Sequence, residues 1–127
     1  MSEPLTQPPA GEAGGVAVVY AGDYVNKLSG QRIERECLTG MERGCRALVI
    51  NFRETELVNS IGVSILLGVI EEAARKEAPV VFAGASRQTV KLFEMLGLTR
   101  HVALAESEEA ALATLAEFDP DHARRGH

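Results

Sequence analysis

Four short runs of apolar, β-branched residues recur along the chain, each followed by a stretch with helical spacing. That alternation limits the possible folds more than any single motif. The runs are VAVVY (16–20), ALVINF (47–52), PVVFAG (79–84) and the weaker HVALA (101–105). Apolar runs of this length are expected of strands buried on both faces, as in a parallel sheet. Between the first two, residues 29–43 place Ile33, Cys37 and Met41 on one stripe, with Ser29 as the expected N-cap and Gly44 beyond the end. A second helix is expected over residues 60–77. A third covers 86–96, opened by Ser86 and stopped by Gly97. A fourth covers 107–118, opened by Ser107, with two glutamates where the helix dipole favours negative charge. Strands alternating with helices need crossover connections. The expected fold class is therefore α/β: a single domain with a mainly parallel sheet of four to five strands, covered by about four helices.

The ends differ from this middle. MSEPLTQPPAGEAGG has little to bury, so residues 1–15 are expected to form a disordered arm, residues 16–118 the folded domain, and residues 119–127 a flexible tail. A chain of 127 residues is long enough for one core. With 13 Lys and Arg against 18 Asp and Glu, its net charge of −5 argues against a nucleic-acid surface, which needs clustered cations. No apolar run reaches the roughly 18 residues of a membrane span, and the N-terminus has no signal-peptide pattern. Cys37 and Cys45 lack metal-ligand spacing and a matching pair of histidines. Both are expected to be free thiols in a reducing cytoplasm, with Cys37 a small core residue. No metal or cofactor is implied.

The second helix carries the functional interest. At 100° per residue, Leu66, Val69, Ile70 and Ala73 share the core face. Ser64, Gly68, Glu71, Glu72 and Arg75 lie opposite. Ile61 falls on that polar side and Ile65 at its border, so the first two turns expose an apolar residue among the small residues Ser60, Ser64 and Gly68. Ser60 lies at the end of the loop leaving the second strand, the carboxyl edge of an α/β sheet, where functional groups gather. Its hydroxyl has two readings. One is a helix cap, worth about 1 kcal/mol. The other is a phosphate acceptor, since free N–H groups and the dipole at a helix start stabilise a phosphoserine.

The stretch VNSIGVSILLG (58–68) resembles the signature of the STAS domain found in bacterial anti-sigma factor antagonists: apolar, Asp, Ser or Thr, any residue, Gly, apolar, Gly, then an apolar helix. SRQTVKLFEMLGL (86–98) is similar to the second family signature, with Leu-Phe, Met two residues later, then Gly-Leu. The resemblance spans about residues 16–117 and includes the element order. It implies that Ser60 is the serine phosphorylated by a dedicated kinase and that Gly62 is the family glycine. Asn59 stands where most phosphorylated members have Asp, and Ser64 where many have Gly. GDYVNK (22–27) departs from the Glu-Leu-Asp type of sequence seen in many antagonists. The implied partners are an anti-sigma factor that is also the kinase, and a cognate phosphatase. The implied contact surface is Asn59, Ser60, Ile61, Gly62, Ser64, Ile65 and Gly68.

Two rival readings stand beside a phosphorylation-switched antagonist. One is a STAS module that is never phosphorylated, acting as a scaffold or small-ligand-binding subunit of a larger assembly; Asn59 keeps it open. The other is an enzyme on a similar frame, for which the chain has no Gly-rich phosphate loop, nucleophile elbow or paired His and acid. His101, His122, His127, Asp23 and Asp119 fall at strand or chain ends and are most simply solvated. Arg53 and Glu54 are expected in a surface loop near Ser60.

Overall fold

The computed structural model describes residues 10–117. The first element is a strand, β1 (Gly11–Ala13), where an arm was expected. A turn at Gly14 and Gly15, with φ of 60° and 80°, returns the chain into β2 (Val16–Tyr20), which pairs antiparallel with β1. Positive φ at both central residues is what a tight hairpin turn requires, and glycine adopts it at no steric cost. The GEA triplet has no strand signal of its own; the open edge of β2 makes it one. Residues 1–9 of the expected arm and the whole expected tail lie outside the described residues.

A two-residue strand, β3 (Tyr24–Val25), leads into α1 (Lys27–Glu42). The N-cap of α1 is Asn26 and not Ser29. The Asn26 side chain accepts from Ser29 N–H at 3.0 Å, and Ser29 Oγ accepts from Asn26 N–H at 2.9 Å, a reciprocal capping box. Strand β4 (Ala47–Asn51) follows, then the short β5 (Leu57–Val58), α2 (Ser60–Arg75) and β6 (Val80–Ala83). Ser86 caps α3 (Arg87–Met95), and Gly97, at φ 81°, turns the chain after it. Strand β7 (Ala103–Ala105) is shorter than the expected 101–105, and α4 (Glu108–Glu117) opens with Ser107 Oγ accepting from Ala110 N–H at 3.0 Å.

The main sheet has five strands in the order β1-β2-β4-β6-β7, with all but β1 parallel, and β3 pairs with β5 in a separate two-stranded ribbon. Period-two alternation divides the sheet's side chains between two cores. Ala17, Val19, Leu48, Ile50, Val80 and Phe82 face α1, α2 and α3, together with Phe52, Leu66 and Phe93. Val16, Val18, Ala47, Val49, Val81 and Ala83 face the single helix α4 through Ala111 and Leu115. On the first side Phe52, Phe82 and Phe93 stack edge-on and tilted, with ring centroids 4.9–5.2 Å apart. The expected core face of α2 (Leu66, Val69, Ile70 and Ala73) is buried. No helix among the described residues is long and apolar enough to cross a membrane.

Candidate functional site

Helix α2 starts where the sheet's carboxyl edge meets the β3–β5 ribbon. Asn59 is its N-cap: Oδ1 accepts from Gly62 N–H at 2.8 Å, and Nδ2 donates to the Tyr24 hydroxyl at 3.3 Å. Ser60 is thus the first helical residue and not the cap. Its side chain is exposed, and among the described residues neither its hydroxyl nor the backbone N–H groups of Ser60 and Ile61 have a protein partner. Two free N–H groups at the positive end of a 16-residue helix make a site where added negative charge is stabilised.

The residues assigned to a contact surface separate into two sets. Ser60, Ile61 and Ser64 face solvent, Ile61 with 49% of its surface exposed. Gly68 borders open space, since a Cβ there would meet nothing within 4 Å. Gly62 is buried, and Asn59 and Ile65 are half-buried. A Cβ on Gly62 would sit 2.6 Å from the Val25 carbonyl oxygen, and one on Gly30 would sit 2.9 Å from Ile65 Cδ1. Gly62 therefore lets α2 rest directly on β3, and Ile65 fills the contact between α1 and α2. Gly62 is a packing residue in this structure.

Three exposed apolar side chains join Ile61 that the sequence reading left out. Tyr24 and Leu57 are register partners across the β3–β5 ribbon, and both are exposed. Leu28, 78% exposed, is the second residue of α1 as Ile61 is of α2, and the two helices start at the same edge. Tyr24, Leu28, Leu57 and Ile61 give this edge an apolar character that isolated exposed residues do not have. Exposed Asp23, Glu54 and Glu56 border it, with Lys27 and Arg53 as the nearby cations. The only sequence hint of Leu28 and Leu57 was their position beside a cap and beside a strand too short to show a period.

The model of the STAS domain matches residues 7–111. The chain belongs to the STAS domain family. This STAS domain is 22% identical over 99 residues to BtrV of Bordetella bronchiseptica, a protein assigned as an anti-sigma factor antagonist; the match covers 78% of this chain and 85% of BtrV. Its fold is similar to the Bacillus cell fate determinant SpoIIAA in the phosphorylated form, with a TM-score of 0.67, 18% identity, and 85% and 96% of the two chains covered. It is similar as well to a sulfate transporter family protein from Wolinella succinogenes, with a TM-score of 0.73, 13% identity, and 84% and 91% covered. At these identities the structural likeness shows the fold. The STAS frame therefore serves proteins of different kinds, and the role of this one rests on its own surface.

Proposed function

We propose that this STAS domain is an anti-sigma factor antagonist: it docks the mouth of α2 onto an anti-sigma factor kinase in the cytoplasm and is released when Ser60 is phosphorylated. The observation that carries the reading is Ser60 itself, an unpartnered hydroxyl on the first residue of α2, beside exposed Ile61 and the Tyr24–Leu57 pair. The similarity to BtrV and the resemblance of residues 58–68 to the STAS signature supply the partner class. A phosphate adds about −1.5 to −2 charge in the middle of an apolar contact. Loss of binding then follows from desolvation and repulsion, and the fold need not change. The chain itself performs no catalysis in this scheme; a separate phosphatase resets it.

The test is phosphorylation of purified protein by the cognate kinase with ATP. Wild type takes up phosphate and Ser60→Ala does not. Ser60→Asp and Ile61→Glu lose about 2–5 kcal/mol of partner affinity, at least roughly thirtyfold. Both melt within a few degrees of wild type, because neither side chain reaches the core. Undiminished binding by Ser60→Asp overturns the charge switch and leaves the unphosphorylated scaffold as the reading.

A further inference from the structure

A recess that Ser60 does not line lies at the carboxyl edge of the sheet, bordered by the β4–α2 connection. It is a cavity of about 480 Å³ between the ends of β2, β4 and β6 and the first turn of α4. Its lining includes Tyr20, Asn51, Arg53, Gly84, Ser107 and Glu108. Ligands of α/β proteins gather at the carboxyl ends of strands, and this volume lies in the range of small-molecule sites.

The floor of the cavity holds polar groups that the fold does not use up. Asn51 ends the otherwise apolar strand β4 and is only 7% exposed. Its Oδ1 accepts from Arg53 N–H at 2.8 Å, and its Nδ2 donates to Glu108 Oε1 at 3.1 Å. The Tyr20 hydroxyl donates to the same Glu108 oxygen at 2.8 Å. An amide nitrogen carries two N–H donors. The second Asn51 N–H therefore has no partner among the described residues, nor does Glu108 Oε2. A strut tying α4 to the sheet requires Tyr20 and Glu108; it gives no reason for a spare donor on a side chain more than nine-tenths buried, where an unmet N–H is costly.

Charge selects what could fill the site. Glu54, Glu106, Glu108 and Glu109 line it, and among the described residues Arg53 is the one cation of the lining; four carboxylates outweigh that cation and the partial positive charge at the start of α4, so phosphates and nucleotides are disfavoured. Gly84 keeps the wall thin: at φ 74° it lies against Arg53, and a Cβ there would sit 3.3 Å from Arg53 Cβ. We propose that this cavity binds a small organic cation, an amine or guanidinium with a carbonyl or hydroxyl oxygen close to the charge. The cation meets Glu108 Oε2, and the oxygen takes the spare Asn51 N–H. The site is separate from Ser60 and stands whether or not Ser60 is phosphorylated.

The experiment titrates the full, isotope-labelled chain with argininamide, which carries a guanidinium, an amine and an amide carbonyl, and follows the amide resonances. Saturable shifts at Tyr20, Asn51 (side-chain NH₂ included), Gly84 and Ser107, with Ser60 unmoved, support the proposal. Glu108→Gln keeps an acceptor for Tyr20 and Asn51 but removes the charge, and is expected to weaken binding about tenfold. Glu54→Lys, an exposed rim change that leaves the buried network untouched, is expected to weaken it about threefold by repulsion. No saturable shift up to about 10 mM, far above a specific site's affinity range, overturns the proposal. So does equal affinity in both variants, or a stronger response of the same resonances to inorganic phosphate.

Discussion

Replacing Gly62 and, separately, Gly68 by alanine makes the same chemical change twice on one helix, with opposite expected signs. At Gly62 the new methyl meets the Val25 carbonyl oxygen at 2.6 Å, Val25 Cγ1 at 2.9 Å and the Val25 carbonyl carbon at 3.0 Å. Two of these atoms are backbone of β3, which is tied to α2 by the Asn59 N–H to Val25 carbonyl bond of 2.9 Å. The obstruction cannot swing aside as a side-chain tip could, so overpacking of about 1–3 kcal/mol is expected. Alanine's helix advantage over glycine returns at most about 1 kcal/mol, and less in the first turn. The net is a loss of about 1–2 kcal/mol. At Gly68, in the middle of α2, the methyl meets nothing within 4 Å, and the entropy term alone gives a gain of about 0.5–1 kcal/mol. Urea unfolding reads both. With an m-value of roughly 1.5 kcal/mol/M, the midpoint falls by about 0.7–1.3 M for Gly62→Ala and rises by about 0.3–0.7 M for Gly68→Ala. Shifts of the same sign, or an unmoved midpoint for Gly62→Ala, refute the assignment of Gly62 to packing and return it to the contact surface.

The buried core offers a larger effect: Phe93→Ala, which removes one ring of the three-ring cluster, is expected to cost about 3–5 kcal/mol and Leu66→Ala about 2–5, measured by the same denaturant midpoints. Removing the α2 cap by Asn59→Ala is expected to cost about 1 kcal/mol, visible as a melting shift of roughly 4 °C in a domain of this size. Burial raises the Cys37 thiol to about 12, and burial together with the hydrogen bond to Glu12 raises Cys45 to about 11. Native protein at pH 8 therefore resists alkylation by iodoacetamide at both positions, while unfolded protein reacts. The same shifts carry a sign for stability. Unfolded thiols lose protons from about pH 8.5 while the folded ones keep theirs, so stability is fully present below that pH and falls from there to about pH 11 for Cys45 and about pH 12 for Cys37. Cys37→Ala is expected to flatten that fall.

Much of the fold is local chemistry and was legible in the chain. Short continuous apolar, β-branched runs between helical stretches pointed to buried strands, Ser86 and Ser107 each satisfy a first-turn N–H of their helices, and the angular pattern of α2 placed Leu66, Val69, Ile70 and Ala73 inward. The same angular reading put Ile61 on the solvent side, where it lies. What the chain alone did not decide depends on partners far along it. GEA becomes β1 only because β2 offers an unpaired edge, and Asn26 displaces Ser29 as the cap because β3 pairing ends at Val25. Tyr24 and Leu57 are 33 positions apart and become neighbours through a ribbon two residues long, too short for any period to show. Gly62 lies against Val25 for the same reason. Tyr20 and Asn51 reach Glu108 across 88 and 57 positions, and only the packing of α4 on the opposite face of the sheet brings them together. Periodicity and capping act within one or two helical turns, so they are written in sequence; pairing of edges and closure of a cavity are set by surfaces that exist only once the sheet is formed.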